Sequence, residues 1–244
     1  GYLGSVWILF LQTLGFSFVP PFRRKNIFEQ MAKIGVESLP LVSLTSLFTG
    51  IVLALQSAYQ MQKIGARIYI SSLVALSITR ELGPVLTALV VAGRMGAAIT
   101  AELGTMKVTE QIDALQTLAV NPIKYLIVPR FIALITMLPI LTIYADFIGI
   151  VGGFIIGVGK LGIGHNLYIR MTFNTLTHKD IFTGLVKAFF FAMIIALISC
   201  KEGIDTEGGA EGVGRATTKA VVFSFILIIA ADCLFTALFY FMFR

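Results

Sequence analysis

Arg80, Glu81 and Arg94 are the residues whose chemistry most needs an explanation, because all three stand within one apolar stretch, residues 68–101. A charge near the centre of a bilayer costs about 3 kcal/mol on insertion scales and normally faces a bundle interior or a wet cavity. Neighbouring residues on a helix point about 100° apart, so Arg80 and Glu81 predict separate partners on other helices. Lys187, Asp146 and Asp232 are the candidates within other apolar runs. Such a patch could be the polar floor of a substrate cavity, or an ion pair that fixes helix register. Catalytic chemistry is poorly represented. His165 and His178 are the only histidines, and neither HExxH nor Gly-x-Ser-x-Gly occurs. Gly157-Val158-Gly159-Lys160-Leu161 lacks the spacing and the hydroxyl of a phosphate-binding GxxxxGK[ST] loop. Cys200 and Cys233 have no partners at metal-ligand spacing and read as small core residues, so no metal site is expected.

The elements that must position these residues follow from hydropathy. Residues 2–18 are apolar and uncharged but short for a crossing, and they lack the basic start of a signal peptide. Pro20-Pro21 and then Arg23-Arg24-Lys25 follow, which suits a helix lying along the membrane surface. Membrane spans are predicted over residues 39–62, 68–101, 131–158, 181–200 and 220–243. The second is too long for one straight crossing, and Gly83-Pro84 supplies a kink because Pro84 cannot donate to the Arg80 carbonyl. The third is expected to bend at Pro139. Residues 103–118 break the hydrophobic pattern, with Val108, Ile112, Leu115 and Ala119 at helical spacing, and predict a short amphipathic helix ended by Asn121-Pro122. Residues 160–179 read as a mixed loop with room for a short helix, and 201–215 as a Gly-rich acidic loop. Small residues recur every four positions at Gly149, Gly153 and Gly157, and at Ala92, Gly96 and Thr100. Such rows let helices approach closely, within the chain or against a second copy.

Composition sets the class. Hydrophobic residues make up 57% of the 244, charged residues 13%, and mean hydropathy is +0.90. Soluble domains carry about a quarter charged residues, so this chain could not cover its own surface with polar groups. The fold class is therefore an all-α integral membrane protein. The net charge of +6 is dispersed along the chain, without the basic cluster that nucleic-acid binding needs. Placing the N-terminus in the cytoplasm puts ten Lys and Arg inside and six outside, with the 103–118 helix in the cytoplasm and the C-terminus outside.

Several motifs converge on a family. The run Leu76-Ser77-Ile78-Thr79-Arg80-Glu81-Leu82-Gly83-Pro84-Val85 resembles the hallmark of MlaE/YrbE-type permeases. It continues in order as Ala92-Gly93-Arg94-Met95-Gly96, Ala101-Glu102-Leu103-Gly104, Thr109-Glu110-Gln111-Ile112-Asp113, Asn121-Pro122 and Gly214-Arg215-Ala216-Thr217-Thr218. The resemblance covers nearly all of the chain from residue 40 onward. It implies an N-terminal interfacial region over 1–38 and a permease domain over 39–244, with five spans and a cytoplasmic coupling helix between the second and third. It also implies an ABC-type phospholipid permease in a bacterial, Gram-negative inner membrane, acting as a homodimer. A separate cytoplasmic ATPase (MlaF-like) would bind ATP and Mg, so this chain itself would need no cofactor. A periplasmic MCE-domain protein (MlaD-like) and, in some systems, a STAS-domain protein (MlaB-like) complete the implied partners. By position, Leu53, Gln56, Gln60, Met61 and Ile64 would line the lipid cavity, with Arg80 and Glu81 nearby. Glu102, Lys107, Glu110, Gln111 and Asp113 would touch the ATPase. Gln56 and Gln60 depart from an all-apolar lining.

Two other classes compete. An ion-coupled secondary transporter could use Glu81, Asp146 and Asp232, although the internal repeat common in such folds is not evident. An intramembrane enzyme would need His165 or His178 as base, and no nucleophile motif accompanies either.

Overall fold

Lipid offers no hydrogen bonds to a bare backbone, so a chain this apolar must satisfy its amides and carbonyls within helices or a closed barrel. The computed structural model describes residues 1–17, 24–63 and 65–242, Leu3 by its backbone alone, and every regular element among them is helical. Five helical runs are long and apolar enough to cross a membrane: Arg24–Lys63, Arg67–Val108, Ile123–Gly159, His178–Ile204 and Gly209–Met242. A shorter apolar helix precedes them, α1 (Tyr2–Ser17). This is the all-α membrane architecture read from the sequence.

The boundaries differ from the hydropathy reading in instructive ways. The region before the first span holds both α1 and α2 (Arg24–Gly35), and a 3-10 turn over Val36–Ser38 runs α2 straight into α3 (Leu39–Lys63). Pro20, Pro21 and Arg23 lie outside the described residues. The second span is α4 (Ile70–Ser77), α5 (Gly83–Val91) and α6 (Ala97–Val108), joined by π-turns over Ile78–Leu82 and Ala92–Gly96. At the first π-turn the Gly83 N–H bonds the Ile78 carbonyl, one residue further back than in an α-helix. This widened turn directly before Pro84 is the irregularity that the proline predicted.

The amphipathic segment is not one helix. α6 carries on to Val108, Glu110 takes a left-handed backbone with φ of 60°, and only α7 (Gln111–Thr117) is the separate short helix. Ala119, counted on its apolar stripe, also has positive φ and lies past the helix end. Asn121 belongs to the next element, where its Oδ1 accepts from the Ile123 and Lys124 N–H groups, 2.9 and 3.3 Å. That cap starts the third span at a π-turn over Ile123–Ile127, which α8 (Val128–Gly159) continues with Pro139 inside it. A short helix does form in the following loop, α9 (His165–Thr175). α10 (His178–Ile204) and α11 (Gly209–Met242) close the chain, so most of the expected 201–215 loop is helical. Hydropathy marks where a helix leaves the membrane, whereas backbone hydrogen bonding decides where it ends.

The chain divides into two compact units, and all five runs contribute to both. One unit comprises Gly1–Ser38, Ala88–Leu138 and Phe189–Cys233. Here Gly96 approaches Ser199, and Thr100 Oγ1 donates to the Ser199 carbonyl at 3.0 Å. Arg94 donates to Glu37 at 2.7 Å and to Ser38 Oγ at 2.8 Å, fastening the second π-turn to the 3-10 turn. Tyr2 donates to buried Glu202 at 2.6 Å, and Lys219 pairs with the same carboxylate at 2.9 Å.

The other unit comprises Leu39–Thr87, Pro139–Ala188 and Leu234–Arg244. Its core packs Ala54, Ala58, Ile70, Val74, Ile78, Ile163 and Tyr168. The glycine row on α8 is used within the chain. A Cβ on Gly50 would overlap the Gly149 carbonyl, one on Gly153 would meet Val74, and one on Gly157 would enter the Tyr168 ring. Gly96 and Thr100 of the second row are likewise turned toward α10.

Candidate functional site

The π-turn over Ile78–Leu82 decides where the two central charges go. Arg80 Nε and Nη2 both lie 2.5 Å from Asp180 Oδ1, while Asp180 Oδ2 accepts from the Thr177 N–H at 2.9 Å and from its hydroxyl at 2.7 Å. The carboxylate is thus fixed by the turn that begins α10, and its side chain is 2% exposed. Glu81 takes a different partner. Lys187, 1% exposed, donates to Glu81 Oε2 at 2.5 Å and to Thr236 Oγ1 at 2.7 Å, and Thr236 Oγ1 stands 3.1 Å from Glu81 Oε1. Two adjacent residues therefore tie α10 and α11 to the second span, as their divergent directions required.

These pairs line a cavity of about 400 Å³, with Thr183, Lys179, Phe239 and Tyr240 completing its wall. Half of the Arg80 side chain remains exposed beside Asp180. A guanidinium carries five N–H donors in a planar fork, so one engaged with a carboxylate on one edge can still meet an oxyanion on another. Phe239 and Tyr240 bring apolar surface alongside. The chemistry this permits is binding of an anion that carries hydrocarbon.

The α3 candidates fall elsewhere. Leu53 and Met61 pack partly against the core cluster of the same unit, Gln56 and Gln60 are exposed, and none of the four lines the Arg80–Glu81 cavity. Ile64 lies outside the described residues. The candidates for ATPase contact form two groups. Glu102 pairs with buried Arg130 at 2.9 Å. Lys107, at the end of α6, donates to both oxygens of Asp113 on α7 at 3.0 and 3.2 Å, closing the turn at which Glu110 sits exposed. Gln111 donates to Thr109 at 3.1 Å. Among the described residues, no group of three His, Cys, Asp or Glu side chains could hold a metal ion.

The sequence profile of the family described as Permease MlaE matches residues 27–238. The chain belongs to the MlaE permease family. It is 47% identical to a "Probable ABC transporter permease protein" of Rickettsia prowazekii, over 98% of this chain and 96% of that one. The "Intermembrane phospholipid transport system permease protein MlaE" of Haemophilus influenzae is 40% identical over 86% of this chain and 81% of its own length. The chloroplastic protein TRIGALACTOSYLDIACYLGLYCEROL 1 of Arabidopsis thaliana is also 40% identical, over 88% of this chain and 62% of its own.

In this MlaE permease, a multi-pass membrane protein of an ABC transporter family, the hallmark Arg80-Glu81 is a branching point for two ion pairs. Sequence reasoning named Lys187 as a partner for this pair but missed Asp180, Thr177 and Thr236. Asp180 stands just ahead of the predicted fourth span, and the Thr177-x-x-Asp180 spacing of a helix start was the available signal. Of the carboxylates that an ion-coupled alternative would use, Glu81 lines the polar cavity and Asp146 a separate apolar one. His165 packs edge-on against Phe154, with ring centroids 5.2 Å apart.

Proposed function

We propose that this permease passes phospholipid between the inner membrane and a periplasmic MCE-domain partner, as a homodimer driven by a separate cytoplasmic ATPase. The observation that carries the reading is the half-exposed Arg80 guanidinium, set by Asp180 beside Phe239 and Tyr240 in a cavity of about 400 Å³. It offers a phosphate a charged donor and an acyl chain an apolar neighbour. The exposed Gln56 and Gln60 on α3, with the half-buried Leu53 and Met61, form the wall that would face a second copy across the lipid path. The exposed turn at Glu110, braced by Lys107 and Asp113, with Gln111 and Glu102 beside it, is the seat for the ATPase. That ATPase supplies the ATP and Mg chemistry, and a STAS-domain protein is a further candidate partner. The relatives named for phospholipid transport and for ABC permeases support this reading.

The test is phospholipid transfer by the reconstituted complex with Arg80→Gln, which keeps a polar side chain but removes the charge. Transfer falls about tenfold or more if the guanidinium holds the phosphate, since a hydrogen bond to a charged group contributes about 1.5–3 kcal/mol. Transfer at the wild-type rate would remove the headgroup role from this cavity.

A further inference from the structure

The Arg80–Glu81 cavity presents an acid as well as a base, and binding of a phosphate alone uses only the base. Asp180 engages Arg80 through Nε and Nη2, so the Nη1 end of the fork remains for an oxyanion. Glu81 is equally incomplete. A carboxylate offers about four lone-pair sites. Lys187 takes one on Oε2, and the Thr236 hydroxyl, with its single hydrogen, takes one more. Two fifths of the Glu81 side chain stays exposed, and it lines the same cavity as the half-exposed Arg80. Their partners are sealed by comparison, since Asp180 and Lys187 are both almost wholly buried. Lys179 stands exposed at the same wall.

Adjacent opposite charges, both open to one cavity, match a ligand that carries its own pair of opposite charges a short chain apart. An anionic headgroup gains Arg80 and Lys179 but sets its negative charge beside the exposed Glu81 carboxylate. A quaternary ammonium has no N–H to give that carboxylate, whereas a primary ammonium has three. Hydrogen bonds between ionised partners are the strong ones, so the primary ammonium gains most. We propose that Glu81 is the specificity-determining residue of this site: it takes the primary ammonium of a zwitterionic headgroup whose phosphate Arg80 holds. The permease thereby selects phosphatidylethanolamine over phosphatidylcholine and phosphatidylglycerol. This selectivity rests on the transport reading above, and the two fail in different ways.

The experiment offers the reconstituted complex an equal mixture of phosphatidylethanolamine, its N-methyl and N,N-dimethyl derivatives, phosphatidylcholine and phosphatidylglycerol. All carry the same acyl chains, and mass spectrometry reads the composition of what is transferred. The wild type enriches phosphatidylethanolamine over phosphatidylcholine about tenfold, the factor set by one hydrogen bond to a charged group. Along the methylated series the largest drop comes at the last methyl, where the final N–H is lost. Glu81→Gln keeps an acceptor for Lys187 but removes the charge. It brings phosphatidylethanolamine and phosphatidylcholine to near parity and raises the share of phosphatidylglycerol. The methylated series in the wild type decides the matter if Glu81→Gln does not fold. Equal shares in the wild type overturn the proposal, as does enrichment of phosphatidylcholine, which would hand the ammonium to the Phe239 and Tyr240 rings. A phosphatidylethanolamine preference that survives Glu81→Gln also overturns it. Arg80→Gln separates the two readings. Loss of transfer in that variant, with a wild type that shows no preference, defeats the selectivity alone, whereas an unchanged rate removes the headgroup from this cavity altogether.

Discussion

Lys187 is a cation with almost no exposed surface, and its partner Glu81 keeps about two fifths of its side chain in the open. That asymmetry makes the two halves of the pair unequal. Lys187→Met retains the buried stem's volume and leaves behind a carboxylate that can hydrate toward the cavity, so the stability loss is about 1 kcal/mol. Glu81→Leu removes the carboxylate that meets the buried ammonium at 2.5 Å, and costs about 3 kcal/mol. Combining both substitutions recovers most of the larger loss. Unfolding of the purified variants in one detergent gives the order directly, and equal losses for the two single variants would contradict the burial argument. The sequence exposed the problem, a charge pair in an apolar run, and even suggested Lys187. It could not select Lys187 over Asp146 or Asp232, because that choice depends on which helices pack and at what rotation.

At the scale of elements, the turn between α6 and α7 is the part whose backbone matters most. Glu110 holds a left-handed φ, which costs a residue with a Cβ about 1–2 kcal/mol relative to glycine. Glu110→Gly is therefore expected to fold with unchanged or slightly higher stability. Glu110→Lys keeps the strain and reverses an exposed charge. In the reconstituted complex, lipid-stimulated ATP hydrolysis falls severely in Glu110→Lys and partially in Glu110→Gly, provided the carboxylate meets a basic surface of the ATPase. Wild-type hydrolysis by Glu110→Lys would take this turn out of the interface. The break itself was not legible in residues 103–118, because an uninterrupted apolar spacing through Val108, Ile112 and Leu115 reads equally well as one helix. The α9 helix was only allowed for, and its role in walling a cavity with Tyr168 and Thr172 was not visible at all.

For the whole molecule, the consequence of the sequence is a division of labour. No GxxxxGK[ST] loop occurs in these 244 residues, and if hydrolysis belongs to a separate ATPase, as proposed, the purified chain alone is expected to release no phosphate above background until that partner is added. Steady-state phosphate release from the chain alone, lost on removing a contaminant, would be uninformative; release that tracks the chain through every column would defeat the permease assignment. The close approaches that hold each unit together, Gly50 with Gly149 in one and Gly96 with Ser199 in the other, are satisfied within the chain. The close approaches at these small residues are thereby accounted for without a second copy, so the proposed pairing of two copies would use other faces.

Hydropathy by itself determined that the chain lives in lipid, how many long helices it has and roughly where they cross, because burying a polar backbone in hydrocarbon admits few alternatives. The order and spacing of the hallmark segments determined the family. Only the tertiary structure decided that Arg80 pairs with Asp180 and Glu81 with Lys187, partners 100 and 106 residues away. It also decided that α11 begins at Gly209, ahead of the hydrophobic run, and that α8 and α9 enclose an apolar cavity. The physical reason is common to all three: insertion energy depends on what each residue is, whereas pairing, helix ends and cavities depend on which residues folding brings together.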